Sequence, residues 1–538
     1  MNLKNAEAII PQIRVPMSLL SEEISGVYGS TLLASRQRIL SYYAVYDIGA
    51  DFKAEGTNGD YVASDLRFKQ AASLVNKEAR FLFSKHPDIW VTVPYDKEKS
   101  TDQEKELRKQ QSSIYQSYID TVIEKTRFFS KLLKAAKDCF IGGRVAYFVN
   151  FNEETGKIQI DFTPAMEFVY DVDPEDSTVL TKIICFYTTV DSRSKNDQRI
   201  YKKKYWMQDG ICWIYEALYD GLGNLVEEIT PERATKFEYI PAGVIVNDGL
   251  TGDMEGQSEI ANLMSSESYY SKLANADMDS ERKGMNPILW ARDMSPESTA
   301  GLSTGPGAFW DLSTDQNVVA GGTGEVGVLE TTMSYTSALS TTLDRIRSNM
   351  YEQAEVPDVS AEALKGVVSS GKTLKAIYWP LIVRCDEKML AWRPAIIHII
   401  ESLLDGAKLY PRAAEPYMEG NTLPNEKVQI EVDNQYPIPE DESEEKQTDL
   451  AEVNAQTMSK ASYMKKWRNL TDAEAMQELE QIARERQLLE DSFTMPPVDT
   501  SDLGDASASQ RSSQASQAGM QQTTQNDAED ASEGQTEE

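Results

Sequence analysis

Residues 257–283 read QSEIANLMSSESYYSKLANADMDSERK, which has the length of a long helix without the composition of a buried one. At 1.5 Å per residue such a helix would span about 40 Å. Its sparse apolar residues are Ile260, Leu263, Met264, Leu273 and Ala274, and serine, asparagine, tyrosine and charged residues fill the rest. A helix this polar is not a core helix. The pattern predicts that it is either exposed to solvent or packed sideways against copies of itself.

Two apolar segments predict further long helices. Between Thr101 and Ile141, apolar residues recur at steps of three, four or seven, which predicts one helix about 60 Å long. The segment from Thr373 to Leu404 predicts an apolar helix kinked at Pro380 and Pro394. Other helices are predicted at Thr31–Tyr43, Ser64–Lys85 and Tyr335–Val356, with two or three polar helices in Glu440–Glu490.

Between Arg144 and Val246 the apolar period changes to two, which is typical of β-strands. Alternation before and after the turn at Glu154-Thr155-Gly156 predicts a hairpin. The sequence therefore predicts an α+β fold in which a mainly antiparallel β domain is inserted between helical parts. Strand-like runs are Ile89–Val93, Leu180–Val190, Ile200–Trp206, Ile211–Leu218, Leu225–Ile229, Ile288–Ala291, Asn317–Ala320 and Lys427–Val432.

Composition excludes several classes of protein. The 538 residues are 41% apolar and 26% charged, which is ordinary globular composition. A net charge of −32 argues against a basic clamp on nucleic-acid phosphates. Four scattered cysteines and two distant histidines predict no disulfide framework, no metal site and no cofactor, and they offer few groups for catalysis. No apolar run approaches the roughly 20 residues that cross a membrane. The serine-, glutamine- and acid-rich tail after about Pro496 is predicted to be disordered.

Two glycine patterns suggest nucleotide chemistry. Gly366 to Thr373 satisfies the GxxxxGK[ST] phosphate-binding loop, in which Lys372 would reach the phosphates and Thr373 would hold magnesium. That loop requires a buried strand directly before it, and Asp358 to Lys365 is too polar for one. Gly322 to Gly327 matches GxGxxG, but a β-branched run follows it instead of a helix, so a flexible turn is predicted there. A P-loop nucleotidase built on Gly366–Thr373 stays open as the alternative function.

Several segments in order resemble the portal proteins of tailed bacteriophages, the rings at the head–tail vertex. The resemblance spans about residues 60–490, and one departure is Thr373, where the family usually has alanine. The resembling segments are Leu74–Phe83, Ile240–Asn247, Gly256–Ile260, Glu355–Ser360, Ser370–Lys375, Tyr436–Asp441 and Asp472–Arg486.

The resemblance implies a mainly helical portal fold with an antiparallel β-rich wing and a small clip, assembled as a ring of about twelve copies around a channel for double-stranded DNA. The implied parts are the wing at 1–255, stem helices at 256–283 and 334–356, the clip at 284–333, the tunnel loop at 357–371, a long kinked helix at 372–405, a return to the wing at 406–439, crown helices at 440–491 and a disordered acidic tail at 492–538.

The implied role is structural and not enzymatic: DNA is packaged and ejected through the ring, which docks first the terminase motor and then head–tail connectors. The implied partners are the large terminase subunit, the major capsid and scaffolding proteins and a head–tail adaptor, and no membrane is involved. The implied location is the virion and, during assembly, the host cytoplasm. We expect Lys365, Ser369, Ser370 and Lys372, in or next to the tunnel loop, to be residues of the DNA channel, and Arg282 and Lys283 to be basic residues at the stem–clip junction. Lys365 and Lys372 would make transient phosphate contacts, and the alternative is that they are ordinary solvated charges. A third interpretation is a helical scaffold whose acidic tail recruits basic partners.

Overall fold

The fold combines eleven α-helices with antiparallel sheets in the part of the chain that the structure describes. This computed structural model describes residues 28–52, 62–96, 100–190, 198–250, 252–285, 288–295, 297, 312–315, 324–329, 334–359, 371–418, 420–437, 442–468 and 472–493. The helices are α1 (Tyr28–Ile48), α2 (Gln70–Phe83), α3 (Asp102–Thr126), α4 (Phe128–Gly142), α5 (Glu259–Met285), α6 (Thr336–Gln353), α7 (Gly371–Leu409), α8 (Pro411–Ala414), α9 (Glu442–Asn454), α10 (Lys460–Arg468) and α11 (Asp472–Phe493).

Within the described residues, the strands form four antiparallel sheets. A three-stranded sheet has the order β3-β2-β9, a five-stranded sheet runs β4 to β8 in sequence order, and the pairs β1-β12 and β10-β11 stand alone. The strands are β1 (Asp88–Thr92), β2 (Arg144–Asn152), β3 (Lys157–Pro164), β4 (Phe168–Val172), β5 (Leu180–Val190), β6 (Gln198–Gln208), β7 (Ile211–Asp220), β8 (Leu225–Ala234), β9 (Ala242–Val246), β10 (Ile288–Arg292), β11 (Glu325–Leu329) and β12 (Gln429–Asp433).

The largest core lies where α2, α3, α4 and α7 meet one face of β2. Alternate residues of β2 point to opposite sides, so Val145 and Val149 join this helical core while Ala146 and Phe148 join a second core against the five-stranded sheet. The three-stranded sheet is therefore covered on both faces. This confirms the predicted antiparallel β domain between helical parts and the hairpin at Glu154–Gly156.

The prediction of one helix from Thr101 to Ile141 is wrong. Arg127 adopts a left-handed conformation, with φ of 54°, and separates α3 from α4. The apolar spacing continues across the break, so the pattern alone does not reveal it. A capping box begins α3, in which Thr101 accepts the amide of Glu104 and the Glu104 carboxylate accepts the amide of Thr101.

Other predicted elements differ in detail. The helix expected from Ser64 begins only at Gln70, because the preceding residues are extended against α5. The end of the GxGxxG pattern, Gly327, lies inside β11 opposite Trp290 and not in a turn. The long helix predicted across Pro380 and Pro394 is confirmed as α7. The predicted strand at Asn317–Ala320 and the tail after Phe493 lie outside the described residues.

Contacts divide the chain after Asp441 into two compact units. The second contains α9, α10 and α11, which fulfil the prediction of two or three polar helices in Glu440–Glu490. Within it, Trp467 Nε1 donates to Asp449 Oδ2 at 2.8 Å and Arg468 pairs with Glu478 at 3.0 Å.

Candidate functional site: an ionic junction beneath the polar helix

Two cations on α7 join four other parts of the first unit. Lys388 and Arg384 lie one turn apart, and Lys388 is only 1% exposed. Around them lie Glu78 of α2, Glu259 at the start of α5, Asn247 and Asp248 directly after β9, and Glu355 after α6. We call this set the ionic junction. Most of the segments that carry the family resemblance therefore converge at one buried site.

The junction is closely bonded. Lys388 Nζ lies 2.6 Å from Glu259 Oε1, 2.7 Å from Asn247 Oδ1, 3.3 Å from Asp248 Oδ2 and 3.4 Å from Glu78 Oε1. Arg384 donates from Nε to Glu78 Oε1 at 2.8 Å and from Nη2 to Glu259 Oε2. Glu355 is more distant, 3.9 Å from Arg384 Nη1. Each buried charge thus has an opposite charge within bonding distance, which burial requires.

The two buried carboxylates respond differently to this environment. Burial raises the pKa of Glu78 to about 7, with repulsion from Glu259 adding to the rise and both cations opposing it. Burial also acts on Glu259, but the bonds to Lys388 and Arg384 outweigh it and hold the pKa of Glu259 below its usual value. The same carboxylates raise the pKa of both Lys388 and Arg384 despite burial. These ion pairs fix the relative positions of the helices that carry them.

Two glycines allow the backbone at the end of α4 to lie directly against the backbone before α5. Gly143 and Gly256 have φ of +82° and +69°, and a Cβ on Gly256 would overlap with the Gly143 carbonyl oxygen. Asn247 links Gly143 to the residue after Gly256, because its backbone amide donates to Gly143 O at 2.8 Å and its backbone carbonyl accepts from Gln257 N at 2.8 Å. The start of α5 is therefore fixed against the end of α4 by backbone contacts that no larger residue permits.

The polar residues of α5 bind an extended segment of the same chain. Glu267, Ser271, Asn275 and Asp279, four residues apart, accept hydrogen bonds from backbone amides in residues 64–71. Four helical residues rise about 6 Å and two extended residues about 6.6 Å, so α5 stays in step with the amides of Ser64, Leu66 and Phe68. The fourth amide, that of Ala71, lies in the first turn of α2. We call this contact the polar seam. The expectation that α5 is solvent-exposed or self-packed is wrong for this face, which is buried within the chain.

The seam contains one buried carboxylate. Glu267 is fully buried and accepts from Ala50 N at 3.1 Å and Ala71 N at 2.6 Å. Burial raises the pKa of Glu267, and the two amide donors oppose that rise. Asn275 satisfies both backbone groups of Leu66, accepting from its amide at 2.8 Å and donating to its carbonyl at 2.6 Å.

The basic residues expected at the DNA channel have different outcomes. Arg282 contacts the seam, since Nη2 donates to Val62 O at 3.1 Å and Nη1 lies 3.8 Å from Asp279 Oδ1. Lys283 lies in α5 and Lys372 in the first turn of α7, but their side chains are outside the described part of the structure. Lys365, Ser369 and Ser370 are outside it entirely.

Sequence reasoning missed the ionic junction, although a signal for it exists. In α7 the buried positions Leu381, Cys385, Met389 and Trp392 form one stripe, and Arg384 and Lys388 fall inside that stripe. In α2, Glu78 likewise lies among Leu74, Val75, Ala79 and Leu82. A charge at an apolar position of a helix predicts a buried ion pair, because an unpaired buried charge is too costly.

Both histidines have structural contacts. His398 Nδ1 lies 3.0 Å from the Tyr147 hydroxyl, and burial lowers the pKa of His398. His86 stacks on Phe129 with ring centroids 4.2 Å apart. Among the described residues no three His, Cys, Asp or Glu side chains form a potential metal site, and no described helix has the length and apolarity needed to span a bilayer.

A comparison with protein families matches residues 34–489 to a model described as phage portal protein, SPP1 Gp6-like. The match covers most of the chain, so the chain belongs to the phage portal protein family. Members of this family are structural components of the virion at the capsid vertex, and they are oligomeric. No curated protein sequence matches the chain.

Proposed function

We propose that about twelve copies of this chain form a ring at the capsid vertex, through which double-stranded DNA is packaged and later ejected. The family match over residues 34–489 carries the proposal. The acidic composition supports it, because a net charge of −32 repels phosphates and lets DNA slide, whereas a basic wall would hold it.

In this ring α5 and α6 form the stem, and residues 284–333 form the clip that docks the large terminase subunit and then the head–tail adaptor. Residues 357–371 form the tunnel loop, α7 is the kinked helix behind it, and α9 to α11 form the crown. The wing faces the major capsid and scaffolding proteins during assembly in the host cytoplasm.

The ionic junction supports a mechanical role in this design. It ties the first residue of α5 to α7, whose N-terminal end follows the tunnel loop. Because the buried charges of the junction are paired and Gly143 and Gly256 fix the backbone, the stem helix is held in one orientation relative to α7. We infer that the junction is the frame that keeps stem and tunnel loop in register while DNA moves.

The alternative nucleotidase lacks comparable support. A P-loop needs a parallel sheet, and every strand pairing in the described residues is antiparallel. Nucleotide hydrolysis that disappears with Lys372→Ala would reverse this preference.

Negative-stain electron microscopy with native mass measurement tests the ring. We expect rings with a central hole wide enough for duplex DNA, and a mass of roughly twelve times the 60.3 kDa chain. A chain that stays monomeric from low to high concentration, with and without scaffolding protein, would contradict the proposal.

A further inference from the structure

A cleft of about 560 Å³ opens above the ionic junction, between the loop after β9 and α7. Its floor is Arg384 and Lys388, whose charges are already paired with Glu78 and Glu259. Two leucines stand exposed in its lining, Leu250 at 81% and Leu390 at 74%. The other charged groups that line it are carboxylates: Asp248, Asp253, Glu355 and Glu387. The cleft therefore offers apolar contact together with surplus negative charge.

A cluster of cations occupies another surface of the same unit. Arg80 of α2 and Lys134 of α4 are exposed, and Lys137 of α4 lies one turn beyond Lys134. The helices α2 and α4, which carry these residues, pack against each other. Burial and the nearby positive charge of Arg80 lower the pKa of Lys137, and the neighbouring Asp138 carboxylate opposes that fall. Within the described residues, none of the three forms an ion pair with a carboxylate. We call Arg80, Lys134 and Lys137 the basic patch.

Arg80 of the basic patch and the floor of the cleft lie on opposite sides of α2. Glu78 points into the junction beneath the cleft, and it is 2% exposed. Arg80 follows two residues later, which is about 200° around the helix at 3.6 residues per turn. A chain with complementary surfaces on opposite sides associates head to tail, and such contacts close into a ring when the rotation permits.

We propose that the cleft of one copy receives the basic patch of the next copy. The proposal rests on the ring assigned above and names its contact. The carboxylates of the cleft meet Arg80, Lys134 and Lys137, while Leu250 and Leu390 pack against the aliphatic stems of the lysines. The charges set the register between copies and accelerate their association in a chain that is otherwise strongly self-repelling.

Charge exchange in the full chain tests the contact. One variant carries Arg80→Glu and Lys137→Glu, a second carries Glu355→Lys and Glu387→Lys, and a third carries all four changes. Assembly is followed by native mass spectrometry and sedimentation across protein concentration at low and high salt. We expect each two-site variant to need at least about tenfold more protein for half-assembly, and the four-site variant to regain assembly because each contact has its signs exchanged together.

The control reverses two exposed charges on α3, with Glu106→Lys and Lys109→Glu, and like the four-site variant it leaves the net charge unchanged. We expect the control to assemble like the unmodified chain. Assembly of the two-site variants at unmodified concentrations, or equal loss in the control, overturns the contact while leaving the ring intact. Loss of duplex DNA binding by the Arg80/Lys137 variant without loss of assembly assigns the basic patch to DNA and also overturns it. Failure of the unmodified chain to form rings refutes the proposed function itself.

Discussion

Lys388 holds a full positive charge at a position that is 1% exposed, and a single substitution there isolates the energetics of the ionic junction. The ammonium group faces Glu259, Glu78, Asn247 and Asp248, so its removal leaves two buried carboxylates with only Arg384 to neutralise them. Removing one partner of a buried ion pair lowers the stability of the fold by more than the intact pair adds to it, because the remaining charge stays desolvated.

Lys388→Met should therefore lower the free energy of unfolding by about 3–5 kcal/mol near pH 8. The deficit should shrink as the pH falls toward 5.5. In the unmodified chain the pKa of Glu259 is low, so its contribution is constant over that range and is lost only at lower pH. The pKa of Glu78 is already raised to about 7, so protonation of Glu78 favours the folded state of the unmodified chain over the same range. In the variant the pKa of Glu259 rises above its unfolded value, so protonation on acidification restores stability. Chemical denaturation at several pH values measures both effects.

Lys408→Met is the matched control, because Lys408 lies on the same helix and is exposed. We expect a change within about 0.5 kcal/mol that does not depend on pH. A Lys388→Met deficit that grows on acidification, or one no larger than the control, would refute the assignment of Lys388 as a buried ion-pair partner.

At the scale of elements, the polar seam explains how a helix as polar as α5 can be buried. Its side chains act as hydrogen-bond partners for a strand-like segment that pairs with no strand among the described residues. Asn275 is central, because one amide group satisfies both the N–H and the C=O of Leu66. Such a contact is as necessary as apolar packing, since a buried backbone group without a partner is costly.

Asn275→Ala should lower the free energy of unfolding by about 1–3 kcal/mol, although alanine favours the helix itself. The amides of Leu66 and Phe68 should also exchange with solvent faster, because the seam opens locally. Hydrogen exchange read by mass spectrometry measures this on residues 62–69. Asn262→Ala, at an exposed position of α5, should leave exchange in that segment unchanged. Protection of Leu66 that survives Asn275→Ala would contradict the seam.

Sequence patterns predict elements better than they predict what elements contact. Apolar periodicity finds α2, α7 and the hairpin because each buries an apolar stripe in its own chain. It also finds α6, whose buried residues are Met350 and Tyr351 near its C-terminal end. It fails at Arg127, where the backbone turns without changing the spacing, and at the polar seam, where polar side chains are buried by partners about 200 residues away. Long-range pairs such as Arg384 with Glu78 and Glu259 depend on tertiary contacts that one sequence does not reveal.

For the whole molecule, the distribution of charge is the main constraint on contact with DNA and with other copies of the chain. A chain of net charge −32 repels DNA and its own copies. Its exposed cations therefore become important both for binding DNA and for contact between copies. The basic patch is proposed to form the contact between copies. Lys365 and Lys372, the lysines proposed to flank the tunnel loop, would contact DNA, and each phosphate that they neutralise adds a salt-dependent contribution to affinity.

Phage carrying Lys365→Ala and Lys372→Ala should therefore form normal rings and yet package DNA several-fold less efficiently, because transient phosphate contacts in a repulsive channel are lost. The deficit should narrow at high salt, where screening weakens these contacts in unmodified phage as well. The measurement is the amount of DNA per head in packaging reactions at two salt concentrations. Lys109→Ala, on the exposed side of α3, is the matched control and should package normally. Normal packaging and retention of DNA by the double variant would show that the two lysines are ordinary solvated charges.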